Sequence, residues 1–181
     1  MIKIAIVSGS NRQHATTLQL CRHMEQVLEN KGCQVIFLDL YSLPLPLYSP
    51  DVDCQDANLA IFRNGLNEAN GIILATPEYH GAPSGVLKNA LDYTGFAQFD
   101  GKVVLSASST GGPVGVSSLQ QLQTIVRNVH GINCPEWVSI GGENRTFTPE
   151  GEPANQKTRE RVLHTLQYFV KMVETFSPVK Q

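Results

Sequence analysis

Ser8-Gly9-Ser10-Asn11-Arg12-Gln13-His14-Ala15-Thr16-Thr17 contains no large apolar side chain. Ser8, Ser10, Thr16 and Thr17 offer hydroxyl donors, and Arg12 offers a charged, forked donor. In front of it stands Ile2-Lys3-Ile4-Ala5-Ile6-Val7, a β-branched run with the composition of a buried strand. Behind it a helical pattern starts at Leu18, with Leu20, Cys21, Met24, Val27 and Leu28 on one face. A strand, a hydroxyl-rich loop and a helix N-terminus together can hold an anion. The helix end supplies unpaired N–H groups and the positive end of its dipole. A polar turn with a threonine N-cap accounts for the same residues, so the loop alone does not name an anion.

Two later stretches have equally unusual composition. In Thr76-Pro77-Glu78-Tyr79-His80-Gly81-Ala82-Pro83, Pro77 stiffens the backbone and Tyr79 and His80 present planar faces. Gly81 allows close approach to a flat heterocycle. Ser109-Thr110-Gly111-Gly112 exposes backbone N–H groups suited to ring carbonyl and nitrogen atoms. Each stretch taken singly is also an ordinary surface turn.

The elements that must position these loops follow from periodicity. The second strand is Gln34–Leu38, after a helix that ends near Asn30-Lys31-Gly32. The connection from Asp39 to Asp53 holds Pro44, Pro46 and Pro50, yet Leu43, Leu45, Leu47 and Tyr48 make it too apolar for a free linker. It is expected to pack over the sheet edge or against another subunit. A helix through Leu59, Phe62 and Leu66 leads to a third strand, Ile72–Ala75. Ser84 is placed to cap the next helix, whose core face is Val86, Leu87, Ala90 and Leu91. Lys102–Ala107 is expected as the fourth strand and Glu136–Ile140 as the fifth, with a helix through Leu119, Leu122, Val126 and Val129 between them. A closing helix spans Gln156 to Phe176, with Val162, Leu163, Leu166, Phe169, Val170 and Val173 inward.

Five strands alternating with five helices predict an α/β fold, a doubly wound five-stranded parallel sheet in the flavodoxin-like order 2-1-3-4-5. In that order the loops after the first, third and fourth strands converge at the switch point, and these are the three loops of unusual composition. The 181 residues fit a single domain, 1–181, with 41% apolar and 17% charged residues and a net charge of −2. That balance carries no footprint for nucleic acid, and no apolar run reaches the length of a membrane span. The first strand leaves no room at Met1 for a targeting peptide, which points to the cytoplasm. Cys21, Cys33, Cys54 and Cys134 lack metal-ligand or C-x-x-C spacing and read as buried or idle thiols. No metal site is expected.

Several phosphate chemistries are excluded. After Gly9 there is no Gly-Lys pair for a P-loop and no further Gly for a dinucleotide fingerprint. The first loop has no Cys for a phosphatase and no acidic pair for a response regulator, and no strand end shows G-x-S-x-G. A mononucleotide remains, held by its phosphate in the first loop and by its ring in the other two.

These residues resemble the NADPH-dependent FMN reductases of the flavodoxin-like superfamily. Gly9-Ser10-x-Arg12 is similar to the family's G-S-x-R phosphate loop. Thr76-Pro77-Glu78-Tyr79-His80-Gly81, continuing through Ser84-Gly85-x-Leu87 to Lys88-Asn89-Ala90-Leu91-Asp92, is similar to its P-E-Y-[NH]…K-N-A-[IL]-D signature. Ser109–Gly112 matches its third loop, and the resemblance runs over roughly residues 2 to 140. Ala15 stands where many members have Ser, and His80 where Asn is frequent.

The resemblance implies FMN as cofactor, NADPH or NADH as donor, and a small-molecule acceptor such as free flavin, quinone, azo compound or metal oxyanion. Gly9, Ser10, Arg12, Thr16 and Thr17 would hold the phosphate. Pro77, Glu78, Tyr79, His80 and Gly81 would hold the ring edge, and Ser109, Thr110, Gly111 and Gly112 its pyrimidine side. Because the flavin carries the chemistry, no catalytic residue is assigned. In relatives the Lys88–Asp92 helix packs subunits together, which implies a homodimer or a tetramer of dimers. A flavodoxin-like electron carrier is the alternative, weakly served by a charge of −2. A flavin-fold scaffold that binds partners through the apolar Leu43–Tyr48 connection is a third.

Overall fold

The computed structural model describes residues 1–177. The strands β1 (Lys3–Ser8), β2 (Gln34–Asp39), β3 (Gly71–Tyr79) and β5 (Val103–Thr110) are parallel, in the order β2-β1-β3-β5. The two-residue β4 (Ala82–Pro83) folds back antiparallel on the end of β3. The far edge of β5 carries two short pieces, and only the second overlaps the expected fifth strand, Glu136–Ile140. β6 (Ile132–Asn133) pairs with its start and β7 (Val138–Gly141) with its end. Pro135, which has no N–H to donate, stands between the pieces, and Glu136 and Trp137 lie outside the ladder. The strand order is therefore the expected one, with the last strand broken.

Alternation along the strands sends side chains to two helical layers. Ile4, Ile6, Ile73, Leu105 and Ala107 face α1 (Thr16–Asn30) and α6 (Gln156–Phe176). Ala5, Val7, Ile72, Leu74 and Val104 face α2 (Ala57–Glu68), α3 (Gly85–Asp92) and α5 (Val116–Asn128). A single turn, α4 (Phe96–Phe99), which has no signature in the sequence, buries Phe99 in this second layer. On α6, Leu163 is exposed where it was expected to face inward, and Thr165 is buried in its stead.

The proline-rich connection divides its apolar residues. Leu43 and Leu45 pack on the second layer, whereas Leu47 is 86% exposed. Asn89 on α3 holds the connection in place: its amide donates to the Pro46 carbonyl at 2.8 Å and its oxygen accepts from the Tyr48 N–H at 2.8 Å. Tyr48 sits edge-on to Tyr93 with ring centroids 5.1 Å apart.

Two features bear directly on the crevice. β3 does not stop at Ala75, and β5 does not stop at Ala107. Their register continues through Thr76↔Ser108 and Pro77↔Ser109. What the sequence marks as loops therefore begins as paired strand. The chain leaves the sheet only at the His80-Gly81 turn and at Gly111.

Candidate functional site

α1 begins without a side-chain cap. Its N-cap is Ala15, in extended geometry, and no side chain accepts from the first turn. The alternative reading, a threonine N-cap, does not hold: Thr16 and Thr17 are the first two helical residues, and alanine at the N-cap has no acceptor to offer. The first N–H groups of α1 thus stay available to an outside anion. They open onto a cavity of about 70 Å³ lined by Ser10, Arg12, Ala15, Thr16 and Thr17 on one side. The other walls are Pro77, Glu78 and Tyr79 from β3, Ser109 and Gly111 from β5 and its loop, and Arg145. Three separately chosen loops meet around one space.

Each wall has a local cause. Gly9 donates its N–H to the Ala75 carbonyl at 2.8 Å, and a Cβ there would stand 2.6 Å from that oxygen and 2.9 Å from Leu87 Cβ. Glycine lets the first loop lie flat on β3 and α3. Ser10 is buried, and its hydroxyl accepts from the Arg12 N–H at 3.3 Å, turning the chain towards α1. Ser84 caps α3 by accepting from Leu87 N–H at 3.2 Å, and donates its hydroxyl to the Gly9 carbonyl. The same residue donates its N–H to Thr76 Oγ1 at 2.9 Å. One serine therefore joins the phosphate-loop backbone, the end of β3 and the start of α3.

Pro77 and Ser109 are neighbours in the ladder, on the α1 side of the sheet. Glu78 points the other way. Its Oε2 accepts from the Ser118 N–H at 2.9 Å, supplying to α5 the cap that Gly115, which has no side chain, cannot give. It reaches the cavity wall, but its charge is engaged at a helix N-terminus.

His80 and Gly81 occupy the two central positions of the turn between β3 and β4, with φ of 52° and 73°. Both positive values match a type I′ hairpin turn, for which Asn-Gly is preferred. Asn is at ease in that backbone conformation, and His80 meets the same requirement with more strain. Neither residue lines the cavity, and the Gly81 carbonyl accepts from Gln121 Nε2 at 2.7 Å. Tyr79 is 43% exposed, beside the turn.

Thr110 and Gly112 lie just behind the cavity, where Gly112 N–H reaches Thr110 Oγ1 at 3.4 Å. Gly9 supports the cavity through its backbone without lining it. Arg145 has no counterpart among the sequence-predicted residues. It ends a short 3-10 helix, Gly142–Arg145, directly after β7. The one available signal is its place after a strand at the carboxyl edge of the sheet, the edge that carries the other three loops.

The thiols take no part. Burial pushes the Cys21 thiol far up, and Cys33 and Cys134 are raised by the same cause. Among the described residues no group of three His, Cys, Asp or Glu side chains is placed to hold a metal, and no helix is long and apolar enough to cross a membrane.

The sequence profile of the NADPH-dependent FMN reductases matches residues 2–145. The chain belongs to this family. It is thus an oxidoreductase that uses FMN with NAD(P)H as donor. The chain is 31% identical over 143 residues to an FMN-dependent NADPH-azoreductase of Staphylococcus aureus (strain USA300), covering 76% of each chain. It is 29% identical over 143 residues to an NADPH azoreductase of Bacillus sp. (strain OY1-2), covering 78% of each.

Among solved structures it is similar in fold to the flavoenzyme NAD(P)H:(acceptor) oxidoreductase FerB from Paracoccus denitrificans. That match has a TM-score of 0.83 at 20% identity, covering 97% of this chain and 99% of that one. An apo NADH:FMN oxidoreductase, EmoB, matches with a TM-score of 0.79 at 19% identity, covering 99% and 92%. The flavin of an FMN reductase has one dianionic group to hold, and the uncapped α1 terminus beside Arg12 fits that group by donor type and charge.

Proposed function

We propose that this FMN reductase holds the FMN phosphate in the cavity at the N-terminus of α1 and passes electrons to an azo compound or a related small acceptor such as a quinone. The single observation carrying the site is that cavity, where an uncapped helix terminus, Arg12 and the ends of β3 and β5 meet. Ser10, Thr16 and Thr17 supply donors around the phosphate, and Gly9 keeps the loop close to β3. Tyr79 and the turn at His80-Gly81 border the ring edge, and Ser109 to Gly112 border the pyrimidine side. Hydride chemistry is supplied by the flavin itself, so no protein nucleophile or acid–base pair is required. The azo acceptor is supported by the similarity to the two azoreductases.

The chain works as a single domain and as a homodimer or tetramer in the cytoplasm. Support for assembly comes from exposed Leu47 beside Tyr41, Pro44, Leu45 and Val86, which line an apolar hollow against α3. Free thiols at all four cysteines suit a reducing compartment. Anaerobic titration of the FMN-loaded protein with NADPH tests the reading. The flavin band should bleach, and then recover on addition of an azo dye while the dye loses its colour. Flavin that binds but stays oxidised would restore the electron-carrier alternative.

A further inference from the structure

Arg12 does not face the phosphate cavity alone. Arg145 lines the same space, brought there by the segment after β7. That segment has little freedom. A Cβ on Gly141 would overlap the carbonyl oxygens of Gly112 and Pro113, so the start of the 3-10 helix is pressed against the third loop. Gly142 then turns the chain with a φ of 52°. On the far side of Arg145 a small hairpin closes, with Ala154 N–H on the Thr146 carbonyl at 2.9 Å and Thr148 N–H on the Glu152 carbonyl at 2.8 Å. Arg145 therefore stands between two anchored segments, at a fixed point of the wall.

Cationic side chains outnumber carboxylates in the cavity lining, two to one. Arg12 and Arg145 are absent from the ion pairs formed among the described residues. The one carboxylate in the lining, that of Glu78, is engaged with the Ser118 N–H. Arg12, Arg145 and a helix N-terminus thus border one small volume. A phosphate monoester carries about −1.5 to −2 charge near neutral pH. It is the natural counterpart to that arrangement.

We propose that Arg145 is a second phosphate-binding residue, clasping the FMN phosphate together with Arg12 and making the protein select FMN over riboflavin. The inference rests on the flavin site argued above. The family's use of FMN sets which phosphate is meant. The cavity is compact, at about 70 Å³. The 2′-phosphate of NADPH would have to occupy the space that the FMN phosphate fills.

The test is flavin fluorescence quenching on titrating the full-length protein, freed of flavin by dialysis, with FMN and with riboflavin. The proteins compared are wild type, Arg145→Ala and Arg145→Lys. A charge-assisted hydrogen bond lost from a phosphate predicts roughly ten-fold weaker FMN binding for Arg145→Ala, since the side chain is exposed. Riboflavin affinity should hold, and Arg145→Lys should recover part of the loss by keeping the charge without the fork. Thermal unfolding of the flavin-free variants checks that the fold is kept. Equal losses for both flavins, or none for either, overturn the proposal and leave the family reading intact. An effect confined to the ratio of KM values for NADPH and NADH overturns it in favour of a role at the dinucleotide. A wild-type protein that binds neither flavin overturns the underlying site along with it.

Discussion

Ser84 concentrates more of the site's architecture in one atom than any other side chain near the crevice. Its buried hydroxyl caps α3 through Leu87 N–H and donates to the Gly9 carbonyl of the phosphate loop. Ser84→Ala removes both partners at once. Loss of the cap alone costs about 1 kcal/mol, and a buried carbonyl left without its donor about 1–3 kcal/mol more. The sum is roughly 2–4 kcal/mol. For a chain of this size that corresponds to a fall in Tm of roughly 5–15 °C. Ser84→Gly should recover part of the cap component, because glycine is nearly as good an N-cap, while leaving Gly9 unpaired. Urea unfolding of the flavin-free variants gives the stability, and fluorescence titration with FMN gives the effect on the loop. A Ser84→Ala loss below about 0.5 kcal/mol with FMN affinity unchanged would refute the reasoning, since a surface substitution does as much.

Two further outcomes follow from backbone geometry and from burial. His80→Asn should leave stability and FMN affinity unchanged or slightly improved, because Asn tolerates the φ of 52° better. His80→Val should lose about 1–2 kcal/mol in denaturant unfolding, and equal stability of the two variants would contradict the turn assignment. His23 is buried on α1, and burial holds its imidazole below its ordinary 6.5, with Arg159 acting the same way and Glu152 opposing. Its neutral form is the one the fold prefers, so this stability is present above pH 6.5 and is lost as pH falls through the lowered folded value. Urea midpoints measured at pH 7 and pH 5 should therefore differ less in His23→Leu than in wild type; equal differences would assign the acid sensitivity elsewhere.

Much of the frame was legible because periodic burial is a strong signal. The closing helix runs from Gln156 to Phe176 as its apolar spacing predicts, and Ser84 caps α3 as its position before Val86 and Leu87 suggests. The strand order followed from counting alternating elements. The strand ends escaped for a physical reason. Thr76-Pro77-Glu78-Tyr79 has no apolar alternation, and Pro77 reads as a breaker, yet the ladder with Ser108 and Ser109 carries it on. The fifth strand was legible as an apolar run, but its interruption at Pro135 depends on the pairing partner. Arg145 was hidden more deeply. The residue types of Glu143-Asn144-Arg145 are those of any polar loop, and beyond its place after a strand the packing of Gly141 against the Gly112 and Pro113 carbonyls has no trace in the sequence.

That close packing at Gly141 bears on how the protein can be recombined. The segments 111–113 and 141–145 are thirty residues apart in sequence but share one surface without room for a methyl group. They form a single inheritable module. A chimera that takes the first segment from a relative and keeps the second from this chain is expected to mismatch at that seam. One that exchanges both together should fold and transplant the donor's flavin preferences intact.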